Sequence, residues 1–155
     1  MYGYNNVEFS HKLNTSISFS DFDAVKIENI VANQLVAQGF NETMANSLTK
    51  AEYVSLSEML NPAHNVTMLN PLSNDLGVMR QSLLFSGLES VIYNINRRNN
   101  SLKFFEFGKT YHKFENGYSE QKHVTLFVSG NRNKESWNST VKPSDFFYLK
   151  GVVST

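Results

Sequence analysis

A chain of 155 residues, 41% of them apolar and 18% charged, suits one domain that buries roughly 70% of the surface its unfolded form would expose. Lys plus Arg and Asp plus Glu number 14 each, so no overall field draws the chain to nucleic acid or an anionic membrane, and any such contact has to be local. The absence of cysteine excludes disulfides, thiolate nucleophiles and cysteine metal sites, and no apolar run approaches the ~20 residues that span a bilayer.

Residues 1–20 show little periodicity and read as a linker from an upstream domain; residues 21–155 read as one domain. With no basic and then apolar leader at the N-terminus, the cytoplasm is the expected location. Asp21 or Asp23 is placed to cap a helix with Ala24, Ile27, Ile30, Val31 and Leu35 on its apolar face, stopping at Gly39, where a left-handed φ is commonly needed. Phe40, Met44 and Leu48 alternate loosely with polar residues and predict a half-buried strand. A short helix over 52–60 ends before Asn61-Pro62, and 66–69 fits a short strand.

The stretch from Asn70 to Tyr111 organises the rest. Asn70-Pro71 with Ser73, Asn74 and Asp75 is turn chemistry. Leu84, Leu88, Val91, Ile92 and Ile95 share one face of a helix that ends near Arg97 and Arg98. Leu102 to Phe107, rich in aromatics and too short for another helix, predicts a central strand. Asn116-Gly117 permits a hairpin, and Val124, Leu126 and Val128 alternate in the return strand. The polar segment 131–142 predicts an exposed loop. Ser144 or Asp145 then caps a last helix, whose apolar face (Phe146, Leu149, Val152, Val153) looks unfinished at Thr155; the expectation is a domain truncated at its C-terminus.

The wording of this stretch resembles the β subunit of bacterial phenylalanyl-tRNA synthetase. The matching phrases are Asn70-Pro71-Leu72-Ser73, Val78-Met79-Arg80-Gln81-Ser82-Leu83-Leu84, Gly87-Leu88-Glu89-Ser90 and Phe104-Phe105-Glu106-Phe107-Gly108, with others at Tyr2-Gly3-Tyr4 and Phe146-Phe147-Tyr148-Leu149-Lys150-Gly151. The resemblance implies an α+β fold like a class II aminoacyl-tRNA synthetase core, an antiparallel sheet flanked by helices. The residues by themselves predict the same class, a soluble α+β domain whose antiparallel sheet uses the stretches around Met44, Val78, Phe105 and Leu126, with helices packed on one face. It also implies a catalytic-like module that makes no adenylate and packs on the catalytic α subunit of an (αβ)₂ heterotetramer. The whole enzyme joins phenylalanine to tRNA(Phe) with ATP and magnesium.

In active class II members a strand reading Gly-x-aromatic-Phe-Arg-x-Glu sets an arginine on the α-phosphate and an acid near adenine. The resemblance aligns Tyr111 with the aromatic, His112 with the arginine and Phe114 with the acid. An imidazole does not reproduce a bidentate, permanently charged guanidinium, and phenyl accepts no hydrogen bond from an amine. No catalytic, cofactor-binding or metal-binding residue is therefore assigned in this chain; ATP and Mg²⁺ belong to the whole enzyme. The four histidines show no metal-ligand spacing. Lys109 or Lys113 is the substitute to be weighed for the missing arginine. Arg80, Arg97 and Arg98 are the candidate contacts with a partner subunit or RNA, against plainer roles in fixing a loop by bonding carbonyls and in complementing a helix C-terminus. An active ATP-dependent ligase core and an RNA-binding module are the alternatives.

Overall fold

The computed structural model describes residues 3–6, 12, 14–18, 23–133, 136–138 and 140–154. Asp21, and half of the stretch read as a linker, lie outside them. Asp23 caps the first helix, α1 (Ala24–Ala37), its carboxylate accepting from the Lys26 N–H at 3.0 Å. Gly39 takes φ +84° and turns the chain back, so that Phe40 enters the core.

The segment read as one strand from Phe40 to Leu48 divides. β1 (Asn41–Glu42) and β2 (Leu48–Thr49) join different sheets, and Met44 between them is 94% exposed. A 3₁₀ turn over Ala51–Leu56 stands where the short helix is predicted, followed by a second at Pro62–His64. β3 (Val66–Thr67) and β4 (Val78–Met79) then form an antiparallel trio with β2, in the order β2-β4-β3. α2 runs over Leu84–Ile95.

β5 (Leu102–Phe114) and β6 (Gly117–Ser129), 13 residues each, make a hairpin, with Gly117 at φ +131° after the turn. Both strands are longer than the sequence predicts, because residues 109–123 are mostly polar and show no alternation. β1 pairs in parallel with β5, Asn41 opposite Phe104. The main sheet is therefore mixed, in the order β1-β5-β6, and the Val78 strand belongs to the small sheet beside it. This corrects the expectation of a single antiparallel sheet within a fold that is α+β.

The helices also lie on both faces of the sheet. Phe105, Phe107, Leu126 and Val128 face α1 and α3 (Phe146–Val153), where Leu35, Phe40, Phe105 and Val152 form the core. Successive strand residues point to opposite sides. The alternate residues, Glu106 and Phe127 among them, thus meet α2, whose Gly87 lies against the Phe127 ring. α3 is capped by Asp145, which accepts from the Tyr148 N–H at 2.7 Å and whose carboxyl is thereby held below the usual carboxylate range. Among the described residues no helix is long and apolar enough to cross a membrane.

Candidate functional site

Arg80 follows β4 and ties the two sheets together. Its N–H donates to Ser47 O and its carbonyl accepts from the Tyr111 N–H, both at 2.9 Å. The side chain runs inward: Nε donates to Lys109 O at 3.1 Å and Nη1 to Glu106 Oε1 at 2.7 Å, with Arg80 4% and Glu106 1% exposed. Gly108 makes room for it, since a Cβ there would lie 2.3 Å from Arg80 Nη2. Arg80 thus bonds a carbonyl, as its plainer role requires, and is committed to the interior rather than turned to a partner or RNA. Glu106, its countercharge, appears in the sequence only as a charged residue within an aromatic strand.

Farther along the same sheet face lies the frame that the resemblance aligns with ATP binding. His112 and Phe114 project there and stack, 12° between planes with centroids 6.0 Å apart. His64, from the turn Pro62–His64, lies against Phe114 at 4.7 Å and edge-on to His112 at 6.5 Å. Burial, and then the proximity of His64 and His123, holds the His112 imidazole below the ordinary histidine range, so it presents no cation to a phosphate near neutral pH. Lys109 and Lys113 alternate onto the opposite face. Lys109 is also paired there with Glu120 at 2.7 Å. In the sequence His64 is only one of four scattered histidines without metal-ligand spacing; its place against Phe114, 48 residues from His112 in a separate turn, is set by the fold.

At the end of α2 the two neighbouring arginines diverge. Arg97 stays on its own helix: Nη1 donates to Tyr93 O at 3.0 Å and the guanidinium lies 3.3 Å from the Tyr93 ring centroid. Arg98 takes φ +66° and borders a cavity of about 560 Å³.

The helices hold a further surprise. Four of the five residues in the apolar stripe read on α2 face outward, Leu84, Leu88, Ile92 and Ile95 being 41–56% exposed, while Val91 is half-buried and Gly87, Ser86, Ser90 and Asn94 turn toward the protein. On α1, Val25, Ile27, Ile30 and Val36 are likewise exposed, beside an apolar groove of about 390 Å³ walled by Ile27, Val31, Phe107 and Val124. Clustered outward apolar residues of this kind mark interaction surfaces.

A family model described as "Phenylalanyl tRNA synthetase beta chain CLM domain" matches residues 14–155. The chain is 45% identical to the phenylalanine–tRNA ligase beta subunit of Bacteroides thetaiotaomicron and 36% identical to that of Porphyromonas gingivalis, with 99% of the chain aligned in each case. It spans 20% of the length of either relative. Among solved structures, an ATP phosphoribosyltransferase regulatory subunit/histidyl-tRNA synthetase from Bacillus halodurans superposes with a TM-score of 0.53, covering 80% of this chain and 34% of that one at 14% identity, a likeness of fold alone.

Proposed function

The chain belongs to the phenylalanyl-tRNA synthetase β chain family, through its CLM domain, and on that footing we propose that it is a non-catalytic packing module of a cytoplasmic phenylalanine–tRNA ligase. In this reading the domain is a class II core-like unit seated against the catalytic α subunit of an (αβ)₂ assembly. That assembly joins phenylalanine to tRNA(Phe) with ATP and Mg²⁺.

The observation that supports it best is the outward apolar surface of both long helices. Ile30 and Ile92 are each 56% exposed, and partner burial would remove roughly 1.5–3 kcal/mol of unfavourable hydration for each such side chain. The phosphate frame supports the non-catalytic half of the proposal. An uncharged imidazole stacked on Phe114, with His64 closing over it, is a poor fit for a triphosphate, and both nearby lysines point to the other face. An active ligase core would need a cation on the His112 face.

Co-purification with a phenylalanyl-tRNA synthetase α subunit, alongside calorimetry with Mg-ATP, tests both halves. The expected outcome is association with the α subunit and no heat of ATP binding. Ile30→Glu on α1 and Ile92→Glu on α2, at positions too exposed to disturb folding, are expected to weaken association at least tenfold on the helix that docks. ATP binding at millimolar affinity or better would overturn the non-catalytic reading. Full association of both variants would overturn the helix surface.

A further inference from the structure

We propose that the cavity beyond the C-terminus of α2 binds a nucleotide unit, a phosphate with its attached base, either free or within single-stranded RNA. The cavity, about 560 Å³, is walled by segments far apart in the chain: Asn41 of β1, Asn94 of α2, Arg98, Asn99 and Asn100 of the following turn, and Asn131 beyond β6. That size is ordinary for a small-molecule site. None of its lining side chains is acidic.

Asn94 and the Asn131 backbone are fixed by hydrogen bonds, and the exposed side chains of Asn41, Arg98, Asn99 and Asn100 are unspent. Asn94 Nδ2 donates to Ser90 O at 2.9 Å, which orients its amide and leaves Oδ1 to accept. Ser101 Oγ accepts from the Asn131 N–H at 3.2 Å and ties the far wall to the turn. Among the described residues, the Arg98 guanidinium and the side-chain amides of Asn41, Asn99 and Asn100 have no hydrogen-bond or ionic partner.

An unpaired guanidinium is the side chain best suited to a phosphate oxygen, and carboxamides match the paired donor and acceptor of a base edge. Half-buried Phe104 lines the same cavity and offers an apolar surface for a base to lie on. The end of a helix ordinarily repels anions. Here the Asn94 and Ile95 carbonyls are already taken by the N–H groups of Arg97, Arg98 and Asn99, at 2.9–3.1 Å, and Arg98 adds its charge. Arg97, committed to Tyr93, plays no part.

Calorimetry with AMP and with inorganic phosphate, and fluorescence anisotropy with a labelled single-stranded oligoribonucleotide of about eight nucleotides, test the site on the 155-residue chain. Binding is expected to weaken about tenfold or more in Arg98→Gln and in Asn100→Asp, the second an isosteric change that sets a carboxylate in the cavity, and to stay within about twofold in Arg97→Gln. AMP binding as tightly as the oligonucleotide identifies a free nucleotide as the ligand; binding of the oligonucleotide alone identifies RNA, with a shallow salt slope of about −0.7 per phosphate neutralised. The proposal is overturned if inorganic phosphate binds as well as AMP, if neither nucleotide probe binds at millimolar concentration, or if Arg98→Gln and Asn100→Asp bind like the parent. None of these results touches the α-subunit reading, which rests on co-purification.

Discussion

The ion pair of Arg80 with Glu106 sits where the small sheet meets β5, and both charges are out of water. Burial of that kind adds little net stability over an apolar pair, but removal of one partner strands the other. Glu106 Oε2 already lacks a hydrogen-bond partner, so Glu106 has little reserve if the guanidinium goes. Arg80→Ala should cost about 3–5 kcal/mol in urea unfolding. In a double-mutant cycle with Glu106→Gln the two losses should fall short of additivity by more than about 0.5 kcal/mol, as groups in direct contact do. An additive result would mean that the bond to Lys109 O, and not the pair, is what Arg80 supplies. The sequence singles out Arg80 by its phrase; only strand register turns Glu106 inward to meet it.

At the scale of the element, α2 shows how a correct helix can present an unexpected face. The 3.6-residue spacing of Leu84, Leu88, Ile92 and Ile95 predicts the helix, and the helix is there. Its inward side is nevertheless set by Gly87, because only a residue without Cβ lets the helix axis approach the Phe127 ring. A methyl group at residue 87 would lie 1.9 Å from Phe127 Cζ. In a solvated helix Gly→Ala gains about 1 kcal/mol. Gly87→Ala should instead destabilise by about 1–3 kcal/mol through overpacking, and the loss should shrink in a Phe127→Leu background. Equal penalties in the two backgrounds would show that the ring is not the obstacle. Close packing on the sheet also explains a helix-interior glycine without any catalytic role.

Across the whole molecule, the turn Pro62–His64 and the distal part of the β5–β6 hairpin are held together by His64, His112 and Phe114, with His123 on β6 bonded to Thr110 at 3.0 Å. The His112 pKa lies below its ordinary value of 6.5, chiefly through burial. In the window just below pH 6.5 the unfolded chain therefore binds more protons than the folded one, and stability rises with pH there. The urea midpoint should drop as pH falls from about 7.5 to about 5.5, and His112→Gln should flatten that drop. A pH slope unchanged in the variant would show that His112 is not its source.

The local alphabet of the chain settled much by itself. A cap at Asp21 or Asp23 and another at Ser144 or Asp145, the reversal at Gly39, the Asn116-Gly117 hairpin and the two long amphipathic helices follow from interactions within a few residues, and the long run of family phrases carried the kinship that comparison bears out. What joins distant segments was decided only in three dimensions. The parallel pairing of Asn41 with Phe104, the division of 40–49 between two sheets, His64 closing on Phe114 and the separation of Arg97 from Arg98 all depend on sheet register and on which helix face is narrow enough to pack. Hydrophobic spacing states that a stripe exists. Whether that stripe meets the chain's own sheet or is left for a partner depends on the steric fit of residues such as Gly87 and Phe127, which no local pattern records.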